Sequence, residues 1–198
     1  MTERELTQDH PHPDSAPSDR ARRRYELIAP VYDWTSGERS LYAEARERAI
    51  DLLRLQPGAS VLDVACGAGR NFALLEQRIT RSGSLVGVDR SPRMLRQARG
   101  RVARQGWENL QLVQTDVRQL TPAQLRALGA PVPAAGFDAV LCTLGLSVIP
   151  DWKGAWQAMR AFVRPGGRIA VMDGGYPARP GAEGEAVAIR PLAWLICR

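Results

Sequence analysis

Lysine is almost absent from this chain: of 27 basic residues, Lys153 alone is not an arginine. With that lysine directly after Trp152 and no Tyr-x-x-x-Lys pair anywhere, the sequence argues against nicotinamide-dependent reduction. Histidine is as scarce. His10 and His12 both sit in the first 20 residues, a stretch of Asp, Pro, Ser and Thr that cannot bury enough apolar surface to order itself. Residues 1–20 are therefore expected as a disordered tail, and histidine drops out of the catalytic candidates. Three cysteines, Cys66, Cys142 and Cys197, are too few and too far apart for a disulfide framework or a metal cluster, which implies a reducing cytoplasm and no metal. No stretch approaches the roughly 18 consecutive apolar residues of a membrane span, and no apolar signal core opens the chain. Aromatics make up 6% of the residues and do not interleave with the basic ones, and zinc and helix-turn-helix signatures are missing. Nucleic acid is not expected as a partner.

What is present suits one α/β domain: 198 residues, 44% of them hydrophobic, with a formal net charge of +6. Arginine clusters at Arg20, Arg22, Arg23 and Arg24 and again from Arg90 to Arg104. In the second cluster Arg93, Arg96 and Arg99 recur every third residue, on one helical face opposite Met94 and Val102. Most such faces are simply solvated. The functional reading is contact with an anionic membrane surface, at about 1 kcal/mol per basic residue close to it.

The chemistry concentrates in Val61-Leu62-Asp63-Val64-Ala65-Cys66-Gly67-Ala68-Gly69-Arg70-Asn71. A short apolar run predicts a strand, the glycines let the backbone turn and approach a ligand, and a helix is predicted over residues 71–77. Asp89 closes a second strand, Leu85-Val86-Gly87-Val88-Asp89, where a carboxylate suits the two hydroxyls of a ribose. A dinucleotide fingerprint asks for a third glycine where Phe72 stands, a residue too bulky for close helix-to-strand packing. Asp63 inside the turn is unhelpful beside a pyrophosphate and well suited to an ammonium group. A third strand at residues 110–114 leads to Thr115-Asp116, where the Asp116 carboxylate suits the exocyclic amine of adenine. An adenosine carrying an amino-acid end, as in S-adenosylmethionine, meets all three requirements. Any one of these aspartates alone reads as a helix cap or turn residue; it is their joint spacing that argues for a site.

On these residues the chain resembles the class I S-adenosylmethionine-dependent methyltransferases, from about residue 25 to 173. The fourth strand Phe137-Asp138-Ala139-Val140-Leu141-Cys142 and the turn Arg164-Pro165-Gly166-Gly167 before Arg168-Ile169-Ala170-Val171-Met172-Asp173 follow the family's order. Ala65 stands where many members carry glycine, a change expected to shift the loop little. The resemblance implies S-adenosyl-L-methionine as cofactor, held by Asp63, Ala65, Gly67, Gly69, Asp89, Arg90, Asp116, Val117 and Thr143. Residues 24–34 resemble a lid over the cofactor, with Tyr25, Tyr32 and Asp33 as candidates for hydrogen bonding or proton acceptance in catalysis; the alternative is that Tyr32 and Trp34 only pack. After the fourth strand, Ser147, Ile149, Pro150 and Trp152 resemble the corresponding run of bacterial lipid head-group N-methyltransferases. The implied reaction is N-methylation of a lipid amine such as phosphatidylethanolamine, at the inner membrane surface. C-methylation of a quinone precursor is the alternative, since that group shares the lid and cofactor loop; a cofactor-binding protein without activity is the third reading.

The expected architecture is a three-layer Rossmann-like fold. Strands near 60–65, 84–89, 110–114, 137–142 and 168–173 alternate with helices, giving a mainly parallel sheet with right-handed crossovers and helices on both faces. Helices at 21–27 and 41–55 form a lid segment, 21–56, ahead of a domain at 57–198. A short helix after Thr121 is followed by a flexible Pro/Ala loop up to Gly136. Only 25 residues follow Asp173, too few for the family's remaining sixth strand, helix and antiparallel seventh strand. A fragment is the expectation; the alternative is a shortened variant in which residues 186–197 cover the sheet edge.

Overall fold

The computed structural model describes residues 38–173 and 192–193. The tail, the helix expected at 21–27 and the candidates Tyr25, Tyr32 and Asp33 lie outside the described residues, as do the residues expected at the C-terminal sheet edge other than 192 and 193.

Among the described residues six strands form one sheet: β1 (Ser60–Val64), β2 (Ser84–Asp89), β3 (Leu110–Gln114), β4 (Phe137–Thr143), β5 (Val163–Asp173) and β6 (Leu192–Ala193), in the order β3-β2-β1-β4-β5-β6. The first five are parallel, and β6 pairs antiparallel with the end of β5 through Met172 and Asp173. All five residues of β1 are buried, which is why after Ser60 its sequence is an apolar run interrupted only by Asp63: a parallel strand covered on both faces has no solvent side to alternate with. The strand order reverses between β1 and β4, where Asp63 lies level with Leu141, and at such a reversal the carboxyl ends of the strands leave a crevice.

Helices cover both faces, as expected. On one, α1 (Glu38–Leu52), α2 (Phe72–Ile79) and α3 (Pro92–Gln105) enclose Ala49, Ile50, Phe72, Leu75, Leu95 and Ala98. On the other, α4 (Pro122–Ala127) and α5 (Trp152–Phe162) contribute Leu125, Ala155, Met159 and Phe162. Local chemistry sets the ends. Ser91 caps α3 by accepting from the Met94 amide, Pro92 opens it, and Gly106 closes it in the left-handed conformation. Among the described residues no helix is long and apolar enough to cross a membrane.

Three expectations change. The helix expected at 41–55 within the lid segment is α1, and its inner face, Ala45, Ala49, Ile50 and then Leu53, is part of the core; its spacing of small and aliphatic residues reflects packing on the sheet. The Pro/Ala loop is not loose: Arg126 on α4 donates to the carbonyls of Val132 (3.2 Å) and Pro133 (3.0 Å), and Ala130 and Val132 are buried. The Arg164 to Gly167 turn is an irregularity inside a longer β5, where the register jumps from Phe137↔Val163 to Ala139↔Arg168. Gly167 permits it, since a Cβ there would stand 2.6 Å from Val163 Cγ2 and 2.8 Å from the Asp138 carbonyl.

Candidate functional site

At the carboxyl end of β1 a buried polar network forms around Asp63. Asn71, just ahead of α2, makes no side-chain cap for its helix; its side chain turns back, donating from Nδ2 to both Asp63 oxygens (2.9 and 3.0 Å) and to Thr143 Oγ1 (3.1 Å). The Thr143 hydroxyl and Arg46 Nη1 donate to Asn71 Oδ1 at 3.2 and 3.4 Å. Four elements, α1, β1, α2 and β4, thus meet at one amide. Burial pushes the Asp63 carboxyl up to about 7, against the Asn71 hydrogen bond and the Arg46 charge, with the nearby Asp89 charge adding to the rise. A fully buried acid poised there is well placed to ionise when a cation arrives.

The loop after β1 rises in a chain of left-handed residues, Ala65 (φ 54°), Gly67 (φ 54°) and Gly69 (φ 75°). A glycine-like conformation at Ala65 costs about 1–2 kcal/mol. Its methyl group fits because Gly145 lies opposite, where any Cβ would come within 2.6 Å of the Ala65 Cβ. The loop is held in place by Asp89, whose Oδ2 accepts from the Gly67 amide and Oδ1 from the Ser91 amide, both at 2.8 Å. Burial raises the Asp89 carboxyl, and these amides oppose the rise. The Arg90 amide adds a third hydrogen bond, and a carboxylate, with about four acceptor sites, still has room for a further donor. Beyond Gly67 the space is open: a Cβ built on it meets nothing within 4 Å.

Asp116 has a partner that the sequence did not point to. Its carboxylate is gripped by Arg118, whose backbone amide (3.1 Å) and Nε (3.0 Å) donate to Oδ1 while Nε and Nη2 donate to Oδ2. This fork holds the acid below its ordinary range. An adenine amine can reach this carboxylate only by sharing or displacing an arginine bond. The Val117 side chain belongs to the core and its carbonyl accepts from the Leu120 amide at 3.2 Å; Arg90 is exposed. Burial raises the Cys66 and Cys142 thiols, so both are inert fillers at neutral pH. Among the described residues no group of three or more His, Cys, Asp or Glu could hold a metal. In the run after β4, Val148 and Trp152 are exposed, with Lys153 over the Trp152 ring at 5.8 Å.

The structure therefore brings Asp63, Ala65, Gly67, Gly69, Asp89 and Thr143 together, keeps Asp116 close to Arg118, and adds Asn71 and Arg46, which sequence reasoning missed. Asn71 carried a faint signal, a polar residue at the start of a helix. Arg46 carried none, being one arginine among many on a helix read as a lid. The arrangement suits an adenosine bearing an ammonium group: a buried acid for the cation, a carboxylate for a diol and a glycine crest that lets the ligand approach the backbone.

The pattern of a family described as a methyltransferase domain matches residues 61–167. A demethylmenaquinone methyltransferase of Listeria monocytogenes serotype 4a is 29% identical over 82% of this chain, and a 2-phytyl-1,4-naphtoquinone methyltransferase of Thermosynechococcus vestitus is 32% identical over 77%. The chain spans 65% and 64% of the length of these two relatives. Among solved structures, a SAM-dependent methyltransferase from Aquifex aeolicus superposes with a TM-score of 0.61 at 17% identity, covering 78% of this chain and 77% of that one. One from Thiobacillus denitrificans, in complex with S-adenosyl-L-homocysteine, does so with a TM-score of 0.59 at 18% identity, covering 79% and 58%. These two likenesses establish the fold.

Proposed function

This chain belongs to the methyltransferase domain family, with the class I S-adenosylmethionine-dependent fold, and from that premise we propose that it transfers a methyl group from S-adenosyl-L-methionine to a ring carbon of a lipid-soluble quinone precursor. The observation that carries this reading is the likeness, over 82% and 77% of the chain, to two relatives named as naphthoquinone-type methyltransferases. The run Ser147, Ile149, Pro150 and Trp152 favours a lipid amine instead, but it is four residues against some 160 aligned.

In this reading Asp63 receives the ammonium of the cofactor, Asp89 the ribose hydroxyls, and Asp116, shared with Arg118, the adenine edge. The bound cofactor supplies an electrophilic methyl group on a sulfonium. The protein contributes alignment, for which about 7–11 kcal/mol of a barrier is available, and needs no covalent nucleophile. The acceptor must lose a proton, and Tyr25, Tyr32 and Asp33 are the proposed hydrogen-bonding or proton-accepting groups. Arg93, Arg96 and Arg99 are exposed along α3, a helix without an acidic residue, which supports peripheral contact with the anionic membrane in which such an acceptor dissolves.

The full chain, given cofactor and either a demethylated naphthohydroquinone or phosphatidylethanolamine in detergent micelles, is expected to methylate the ring carbon, read by mass spectrometry. A methylated amine, or no product from either, overturns the proposal. Asp89→Ala is expected to weaken S-adenosylhomocysteine binding by about 1.5–3 kcal/mol, or roughly 10- to 150-fold, because a charged acceptor to the diol is lost. Calorimetry that finds unchanged affinity rejects the ribose role.

A further inference from the structure

The opposite ends of the strands hold a second cavity of about 310 Å³, where α1 runs on into β1 and α5 into β5. Arg54, Arg164 and Arg168 line it, over an apolar wall that includes Leu53 and Pro57. Among the described residues Asp138 is its one acidic lining residue, and that carboxylate already accepts three hydrogen bonds. Oδ2 accepts from the Ser60 amide and hydroxyl, both at 2.7 Å, and Oδ1 from Arg164 Nε at 2.7 Å. Among the described residues neither Arg54 nor Arg168 pairs with a carboxylate. Among the described residues three guanidinium groups line the cavity against one carboxylate, an excess of two positive charges.

This arrangement is unfavourable for the fold alone. Arg54 occupies a left-handed conformation (φ 51°) just past the end of α1, a position that favours glycine. Like charges gathered in one pocket repel each other. Strain of this kind persists where the surrounding structure puts it to use.

We propose that the cavity binds a phosphate-bearing ligand of charge −2 or greater, a phosphomonoester or a diphosphate, at a site separate from the cofactor crevice. Guanidinium forks match phosphate oxygens in pairs, and the volume lies at the lower end of the roughly 300–1,000 Å³ typical of small-molecule sites. The two sites stand at opposite ends of β1, about 13 Å of strand apart at ~3.3 Å per residue, so both can be filled together.

Inorganic pyrophosphate is the probe, titrated by calorimetry and thermal melting at fixed ionic strength into the full chain and its Arg168→Gln, Arg54→Gly and Arg104→Gln variants. The wild type is expected to bind and to melt higher with pyrophosphate. Arg168→Gln should bind at least tenfold more weakly. Arg54→Gly should melt above the wild type without pyrophosphate, because strain and repulsion are relieved, and also bind at least tenfold more weakly. Arg104→Gln, which removes an equal charge from the exposed end of α3, should bind as the wild type does. S-adenosylhomocysteine affinity should be unchanged in all three. Absence of pyrophosphate binding, or an equal loss in Arg104→Gln, overturns the proposal. Sedimentation with phosphatidylcholine vesicles containing phosphatidic acid separates the two sources: capture that Arg168→Gln abolishes assigns a lipid head group, and pyrophosphate binding without such capture assigns a soluble phosphate.

Discussion

Asp63→Asn is expected to give a protein that is more stable than the wild type above pH 7 and that has lost most of its cofactor affinity. The Asp63 carboxyl has an ordinary value of 3.8 and is raised to about 7 in the fold. Its folded value lies above its unfolded one, so the stability attached to the protonated form is fully present below about pH 4 and is lost as pH climbs through 7. Three units correspond to about 4 kcal/mol of cost for the buried charge. An asparagine avoids that cost but gives up one good acceptor for the Asn71 amide, leaving a net gain on the order of 2 kcal/mol at pH 8. Urea unfolding at pH 8 and pH 4 checks this; the advantage should shrink at the lower pH, and one that stays constant contradicts a raised carboxyl. The same ionisation governs the ligand. The ammonium of S-adenosylhomocysteine pairs only with the carboxylate, so wild-type affinity should fall about tenfold between pH 8 and pH 6, and a flat profile would remove Asp63 from the ammonium site.

Phe72→Ala is expected to cost about 3–5 kcal/mol of stability, a large share of the roughly 5–15 kcal/mol that holds a domain together. Its ring is fully buried and meets Trp107 edge-on, with centroids 6.4 Å apart. It also supports the cofactor loop from beneath. A Cβ on Gly69 would lie 2.3 Å from Phe72 Cε2, and one on Gly87 3.1 Å from Cζ. Removing the ring should therefore loosen the loop as well, weakening S-adenosylhomocysteine binding, while Phe72→Leu keeps part of the packing and loses less of both. Denaturant midpoints and calorimetry on the two variants check the order; a loss below about 1 kcal/mol for alanine would mean that the loop is supported elsewhere.

Phe72 also shows where reading from sequence goes only halfway. Its bulk in place of a third glycine argued against a dinucleotide turn. That the ring fills the space between loop and sheet follows from Gly69 and Gly87 both giving way to it, and the second of these lies on a neighbouring strand. Asp116 is a similar case: its position at the end of β3 was legible, but its capture by Arg118, two residues on, depended on the 3₁₀ turn at Val117–Gln119.

The sequence by itself determined the alternation of strands and helices, the glycine-bearing turn after β1 and the acids at three strand ends. These follow from backbone preferences and from burial of both faces of a parallel sheet, which act within a few neighbouring residues. Only the tertiary structure decided that α1 is a wall of the core, that a loop rich in proline and alanine is tied down by Arg126, and that Asp63 sits at about 7. The Asn71 amide reaches 25 residues back to Arg46 and 72 residues forward to Thr143. Desolvation and hydrogen bonds at such separations depend on which elements the fold packs against each other, and no local pattern encodes that.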